Sequence, residues 1–336
     1  MAKNSRLKPV LGIVSGVILF LLLFYIVRDY QGVTRTKDTK EITDLQRIKE
    51  RGRLIALTDY NSTSYFIYRG QPMGFQYDML KMLADYLGIE LEIIVSNDLE
   101  DAFNKLNSKE CDIIALGLTV TNERKDFLDF TEPYSTTRQI LVQRKPEGWE
   151  KMSHRQIEKK LIRNQLELAG KTIYVQKNSA FYTRMKNLEE EIGDSINIVE
   201  IENYETEQLI TLVAKGEIDY CIADENVAKV NQTYYPNLDI NTPVSFPQKL
   251  AWAIRKNSPE LKKEMNEWIR NIQQTRRYSL VYNKYFRNIK AVNRVKSDYI
   301  SIKGGKISKY DETIRKYSEN IDWDWRLLAS LIYQES

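Results

Sequence analysis

The chain has 336 residues, room for two domains with a core each. Its formal charge of +4 sets 50 Lys and Arg against 46 Asp and Glu, and Lys3, Arg6, Lys8 and Arg28 account for the whole excess. The neutral remainder offers no basic stripe for nucleic acid, and one His with two distant Cys leaves almost no material for a zinc site or a Ser-His-Asp triad. No metal or cofactor is expected.

Pro9–Val27 contains no charge and is nineteen residues long, enough to cross a hydrocarbon core of ~30 Å. Residues 1–28 therefore read as an N-terminal membrane anchor. The basic residues ahead of it stay inside, and everything after Arg28 is exported. A cleaved signal peptide competes with this reading, but RDYQGVTRTKD offers no small-x-small cleavage site. An uncleaved anchor favours the inner membrane over outer-membrane association. Cys111 and Cys221 then face an oxidising compartment, yet both adjoin apolar runs, so buried free thiols are expected rather than a disulfide.

A polar spacer, 29–44, leads into the folded part. Leu45–Arg51 reads as a helix, Arg53–Thr58 as a strand and Tyr60–Pro72 as a loop. Gly74–Leu87 has helical apolar spacing and ends at Gly88. Strand Leu91–Val95, helix Leu99–Leu106 and strand Ile113–Leu118 follow. Short strands alternating with helices argue an α/β domain with a mainly parallel sheet. Ligands in such sheets sit beyond the carboxyl ends of the strands, where Tyr60, Tyr65, Gly117, Thr119 and Arg124 fall. The stretch Cys111–Tyr134 gathers hydroxyls, free helix-start N–H groups and a guanidinium, the parts that hold a carboxylate. Thr121 as a plain helix N-cap with Arg124 on a solvated face is the competing reading.

After the charged stretch Gln143–Glu167, a second α/β set begins. It comprises strand Thr172–Val175, helix Phe181–Glu191, strand Ile196–Ile201, helix Glu205–Lys215 and strand Ile218–Ala223. Lys109–Ala115 echoes Gly216–Ala223, each a helix end, an acidic turn and a strand. Asp112 and Asp219 read as structural turn residues. Two lobes around a cleft are expected, lobe 1 from 45–143 and 247–290 and lobe 2 from 144–246. Strand Lys249–Arg255 and helix Pro259–Arg277 return the chain to lobe 1. Asp224 reads as the N-cap of the following helix.

Several motifs stand in order: GQPMGFQYDMLKMLADYLG, the G-x-T-x-T-x-E-R of Gly117–Arg124, DFTEPY at 129–134, LAGKTIYVQKNS at 168–179 and GEIDYCIADENVA at 216–228. With them the chain resembles the periplasmic amino-acid-binding (type II solute-binding) proteins over roughly 45–290. The resemblance implies a two-lobed periplasmic-binding-protein fold closing on a small zwitterion, an amino acid or a muropeptide. It makes Arg124 and Thr119, with Gly117 and Ser179 beside them, the grip on the α-carboxylate. Asp224 becomes the acceptor of the α-ammonium, and Tyr60 or Tyr65 the packing for the side chain.

Residues 291–308 form a polar linker, and 309–336 begin a new amphipathic segment ending ENIDWDWRLLASLIYQES. Trp325, Leu328, Leu331 and Ile332 form an apolar stripe from which Glu335 projects. A Glu among apolar neighbours is raised in pKa and suited to general-acid work. This run resembles the start of the soluble-lytic-transglycosylase (lysozyme-like, all-α) domain. The whole order resembles the membrane-bound lytic transglycosylase F family, with peptidoglycan glycan strands as substrate. The resemblance implies Glu335 as the single acid and base that forms 1,6-anhydro-muropeptides, with Ser336 beside it. The chain stops one residue later, so as given it is expected not to cleave peptidoglycan and to leave 309–336 poorly packed. An amino-acid-binding receptor for transport or signalling is the alternative function.

Overall fold

Strand β1 (Arg53–Thr58) carries five consecutive buried residues, Leu54–Thr58, the pattern of a strand covered on both faces. It pairs in parallel with β4 (Glu90–Val95) on one side and β5 (Ile113–Ile114) on the other. The helix between them, Phe75–Leu87, buries Phe75, Met79, Leu80 and Leu83 against this sheet and stops at Gly88, whose φ of 70° suits glycine at a helix end. A computed structural model of the chain describes residues 43–287 except Asn203, then 310–318 and positions 325, 328, 329 and 332.

Two five-stranded sheets organise those residues. The first runs β4-β1-β5-β14-β6, with β6 at Leu128–Phe130 and β14 at Ala253–Arg255. The second runs β10-β9-β11-β8-β12, with β8 at Gln139–Arg144, β9 at Thr172–Gln176, β10 at Asn197–Ile201, β11 at Tyr220–Asp224 and β12 at Leu238–Pro243. This is the expected two-lobed α/β architecture. Where the sheets meet, β7 (Ser135–Thr137) pairs antiparallel with β13 (Gln248–Leu250), so the chain passes between lobes twice along one ribbon.

Several expectations need correction. The lobe boundary at 143/144 falls too late, because Gln139–Arg144 is a central strand of the second sheet, antiparallel to both β11 and β12. The loop expected over Tyr60–Pro72 contains a small hairpin, β2 (Phe66–Tyr68) with β3 (Gln71–Met73). Strand Ile113–Leu118 pairs only at Ile113–Ile114, since the chain then leaves the sheet to build the cleft. The single strand Lys249–Arg255 divides into β13 and β14, and the long helix into Pro259–Gln273 and Arg276–Phe286. Cys111 and Cys221 are buried free thiols, one in each lobe.

The expected anchor, the spacer up to residue 42, the linker 291–308, Glu335 and Ser336 lie outside the described residues. Among the described residues no helix is long and apolar enough to cross a membrane. Helix Asp311–Ser318 buries Asp311, Ile314 and Ser318, Ala329 is buried too, and Arg315 lies 4.4 Å from the Trp325 ring centroid. Tyr310, Tyr317 and Ile332 are exposed, so the described positions of this segment are part buried and part open.

The core of lobe 1 holds a polar chain. Trp252, fully buried, stacks on Trp268 at 5.8 Å and donates its indole N–H to Gln76 Oε1 at 2.8 Å. Gln76 donates to the Tyr134 hydroxyl at 2.8 Å, which donates in turn to the Leu116 carbonyl at 3.2 Å. Every buried polar atom named here is paired, so the chain fixes a unique packing. Asp112, expected as a structural turn residue, accepts from the Ile55 N–H at 2.9 Å and pairs with Arg51.

Gly74 carries the sharpest backbone constraint. Its φ is 139°, and a Cβ there would meet the Ser64 carbonyl oxygen at 2.0 Å. Gly74→Ala is expected to destabilise the protein by about 2–4 kcal/mol, read as a lowered urea midpoint, because strain and a backbone clash add.

Candidate functional site

The first lobe delivers a cation to the cleft. Thr121 is the N-cap of helix Asn122–Phe127 and its hydroxyl accepts from the Arg124 N–H at 3.2 Å. The cap reading is therefore right, but the solvated-face reading is not: Arg124 is 6% exposed. Its guanidinium lies 5.8 Å from the Phe103 ring centroid and donates to two carbonyls, Thr119 at 3.0 Å and Asn178 at 3.3 Å. Asn178 belongs to lobe 2, so this side chain already spans the cleft. Burial pushes its pKa down to about 10, and Glu123 and Asp224 oppose that. A buried guanidinium held by carbonyls alone gains most from a carboxylate.

The second lobe delivers the anion. Asp224 ends β11 and occupies the N-cap position of helix Glu225–Gln232, yet its side chain makes no capping bond. Ser179 likewise precedes helix Ala180–Ile192 without capping it. The Ser179 hydroxyl and Asp224 Oδ1 are buried without a hydrogen-bond partner. Such atoms cost roughly 1–3 kcal/mol each, a penalty that a polar ligand removes. Burial pushes the Asp224 carboxyl up to about 7, with Arg124 pulling the other way.

Gly117, Thr119, Arg124, Ser179 and Asp224 all line one cavity of about 90 Å³ between the lobes. This is less than the ~150 Å³ that admits benzene, so the recess between the lobes is small. The tyrosines stand elsewhere. Tyr60 lines a neighbouring cavity of about 460 Å³ with Tyr204, Tyr234 and Tyr235. Tyr65 packs at 6.1 Å on Tyr60 and 5.8 Å on Tyr77, outside both linings.

Sequence reasoning missed the acidic side of the small cavity, Asp59 and Glu205, and the Asn61 between them. Asp59 directly follows β1, a carboxyl-end position that could have flagged it. Glu205 looks like any acidic helix start.

A model of the bacterial extracellular solute-binding proteins, family 3, matches residues 53–288. The chain belongs to that family. Among curated proteins it is 31% identical over 303 residues to a membrane-bound lytic murein transglycosylase F of Desulfosudis oleivorans, covering 88% of this chain and 63% of that protein. A protein of the same name from Saccharophagus degradans is 30% identical, covering 88% and 56%. The chain thus spans about three fifths of the length of these relatives.

Solved structures share the fold. An amino acid ABC transporter substrate-binding protein of Streptococcus pneumoniae bound to L-arginine matches with a TM-score of 0.60 at 23% identity, covering 74% of this chain and 98% of that one. An ancestral amino acid-binding protein, a precursor of cyclohexadienyl dehydratase, matches with a TM-score of 0.58 at 25% identity, covering 72% and 99%.

Because burial raises the Asp224 carboxyl, the protein loses stability as pH rises from the ordinary carboxyl range through about 7, and the loss is complete above that. Asp224→Asn is expected to raise the melting temperature at pH 8, by the equivalent of about 1–3 kcal/mol. Thermal melts at pH 8 check this.

Proposed function

We propose that this chain is the extracytoplasmic sensing part of a peptidoglycan lytic transglycosylase, anchored in the membrane by residues 1–28 and facing the periplasm. Its cleft takes the α-amino and α-carboxylate ends of a free amino acid or a muropeptide. Arg124, Thr119 and the Ser179 hydroxyl grip the carboxylate, with the free N–H groups at the start of helix Ala180–Ile192, and Asp224 accepts the ammonium. Closing the lobes completes both contacts, so ligand binding shifts the open–closed equilibrium. The carrying observation is that the buried Arg124, the Ser179 hydroxyl and Asp224 Oδ1, the last two without a hydrogen-bond partner, line one small cavity. Membership of the solute-binding family supports the ligand class, and the relatives' names support the wall-cleaving context.

In that context Glu335 is the acid and base. It protonates the glycosidic oxygen, then takes a proton from the C6 hydroxyl as the 1,6-anhydro ring closes, with Ser336 alongside. One carboxylate does both jobs, unlike the paired carboxylates of most glycoside hydrolases. A plain receptor for a transporter is the second reading, favoured by the likeness to the transporter substrate-binding protein.

Calorimetry against a panel of amino acids and muropeptides tests the cleft. Arg124→Ala should weaken the best ligand at least about 100-fold, and unchanged affinity would sink the carboxylate site. Affinity should also fall as pH drops below about 7, because Asp224 must shed its proton before it accepts an ammonium. For the enzyme, the full-length protein should release anhydro-muropeptides from peptidoglycan and its Glu335→Gln form should not, as read by mass spectrometry. Equal release by both would remove Glu335 from the chemistry.

A further inference from the structure

One amide bridges carboxylates of opposite lobes. Asn61 Oδ1 accepts from the Thr63 N–H at 3.0 Å, the Thr63 hydroxyl at 3.0 Å and the Ser64 N–H at 2.7 Å. Those three donors fix the orientation of the amide, so its NH2 has to point the other way. There it donates to Asp59 Oδ2 of lobe 1 at 2.6 Å and to Glu205 Oε1 of lobe 2 at 3.0 Å. Glu205 is 5% exposed and starts helix Thr206–Lys215, taking the Glu207 N–H on its other oxygen at 3.0 Å. One residue along, the Ser62 N–H donates to Glu207 Oε2 at 2.7 Å. The same seam thus carries two lobe-to-lobe contacts, both built on carboxylates.

We infer that the Asn61–Glu205 bridge is a proton-operated latch: the cleft closes as Glu205 takes up a proton, and ionised Glu205 drives it open. This goes beyond the ligand reading, since it concerns closure itself. The charges around Glu205 argue for it. Asp59 faces it across Asn61, Glu207 follows it on its own helix, and Asp224 and Arg124 line the same cavity. On the other side, in the larger cavity, stand Lys215 and the tyrosines 60, 204, 234 and 235. Arg124 is thus the single cation against three carboxylates lining the small cavity. Two carboxylates held to one neutral amide out of water cannot both stay ionised cheaply.

The directions agree. Burial first, then Glu207 and Asp59, push the Glu205 carboxyl well above its ordinary value, although the Glu207 N–H and Asn61 pull down. With the lobes apart Glu205 returns to water and to an ordinary carboxyl. Between those two values closure binds a proton, so the closed population is greatest at acid pH and is lost as pH rises through the closed-state value.

The test is a spin-label distance measurement on the whole chain without ligand, so that its outcome is independent of what the cleft binds. Labels go on Asn107→Cys in lobe 1 and Asn187→Cys in lobe 2; the native thiols are buried, and burial raises both. The protein carries Asp224→Asn, because Asp224 titrates in the same direction. The closed-distance population is expected to be at least about two-fold larger at pH 5 than at pH 8. Adding Glu205→Gln should flatten the profile at its acid level. Glu205→Ser, which keeps a helix cap and so guards against misfolding, should flatten it too. A flat profile before Glu205 is changed overturns the latch. A pH response that survives both Glu205 variants places the proton elsewhere and overturns it equally.

Discussion

The functional geometry depends on one hydrogen-bonded ribbon. Ser135–Thr137 and Gln248–Leu250 pair residue for residue where the lobes meet. The site loop is tied directly to this ribbon: Thr119 bridges to Leu250, the Val120 N–H donates to the Lys249 carbonyl at 3.0 Å, and the Ala251 N–H donates to the Leu118 carbonyl at 3.2 Å. Any rotation about the ribbon therefore moves the backbone that carries Thr119 and Arg124. The site loop is coupled to the ribbon by these two backbone hydrogen bonds rather than through a long relay of side chains. That is the short coupling path a closing cleft needs.

The cleft is built at the expense of local satisfaction. Ser179 and Asp224 stand at helix starts without capping them and keep buried atoms unpaired, while Thr43, Thr121 and Thr275 cap theirs in the ordinary way. Residues that could stabilise their own helices are instead turned on a shared space. This is the exchange of stability for function that binding sites show generally. The polar chain from Trp252 through Gln76 and Tyr134 to the Leu116 carbonyl holds the floor of that space from behind, so the exposed frustration rests on a fully paired support.

Much of this was legible in the residues. Helix Phe75–Leu87 announced itself by apolar spacing and a terminal glycine, and the buried run Leu54–Thr58 by its continuity. Arg124, Thr119, Gly117, Ser179 and Asp224 come together because each sits where a strand ends or a helix begins. What failed was non-local. Gln139–Arg144 becomes a central strand only because β11 and β12 flank it, neighbours that lie far along the chain. Ile113–Leu118 stops pairing after two residues because the cleft, not the sheet, claims the rest. The family resemblance and a position beyond a strand end put Tyr60 or Tyr65 beside the ligand, yet Asn61 and neither tyrosine lines the small cavity. Glu205 was invisible for a similar reason: a carboxylate becomes remarkable to its surroundings only when another lobe shuts over it.

The ribbon also sets an order of assembly. The second sheet is drawn from one uninterrupted stretch between β7 and β13. The first is not: β14, arriving after the whole second lobe has been made, inserts between β5 and β6. During synthesis the second lobe can complete its sheet while the first still lacks an interior strand. The first lobe's core, Trp252 included, must wait for a long-range pairing that is slow to form. The residues that hold the loop of Thr119 and Arg124 from behind therefore fall into place only after the second lobe has been made.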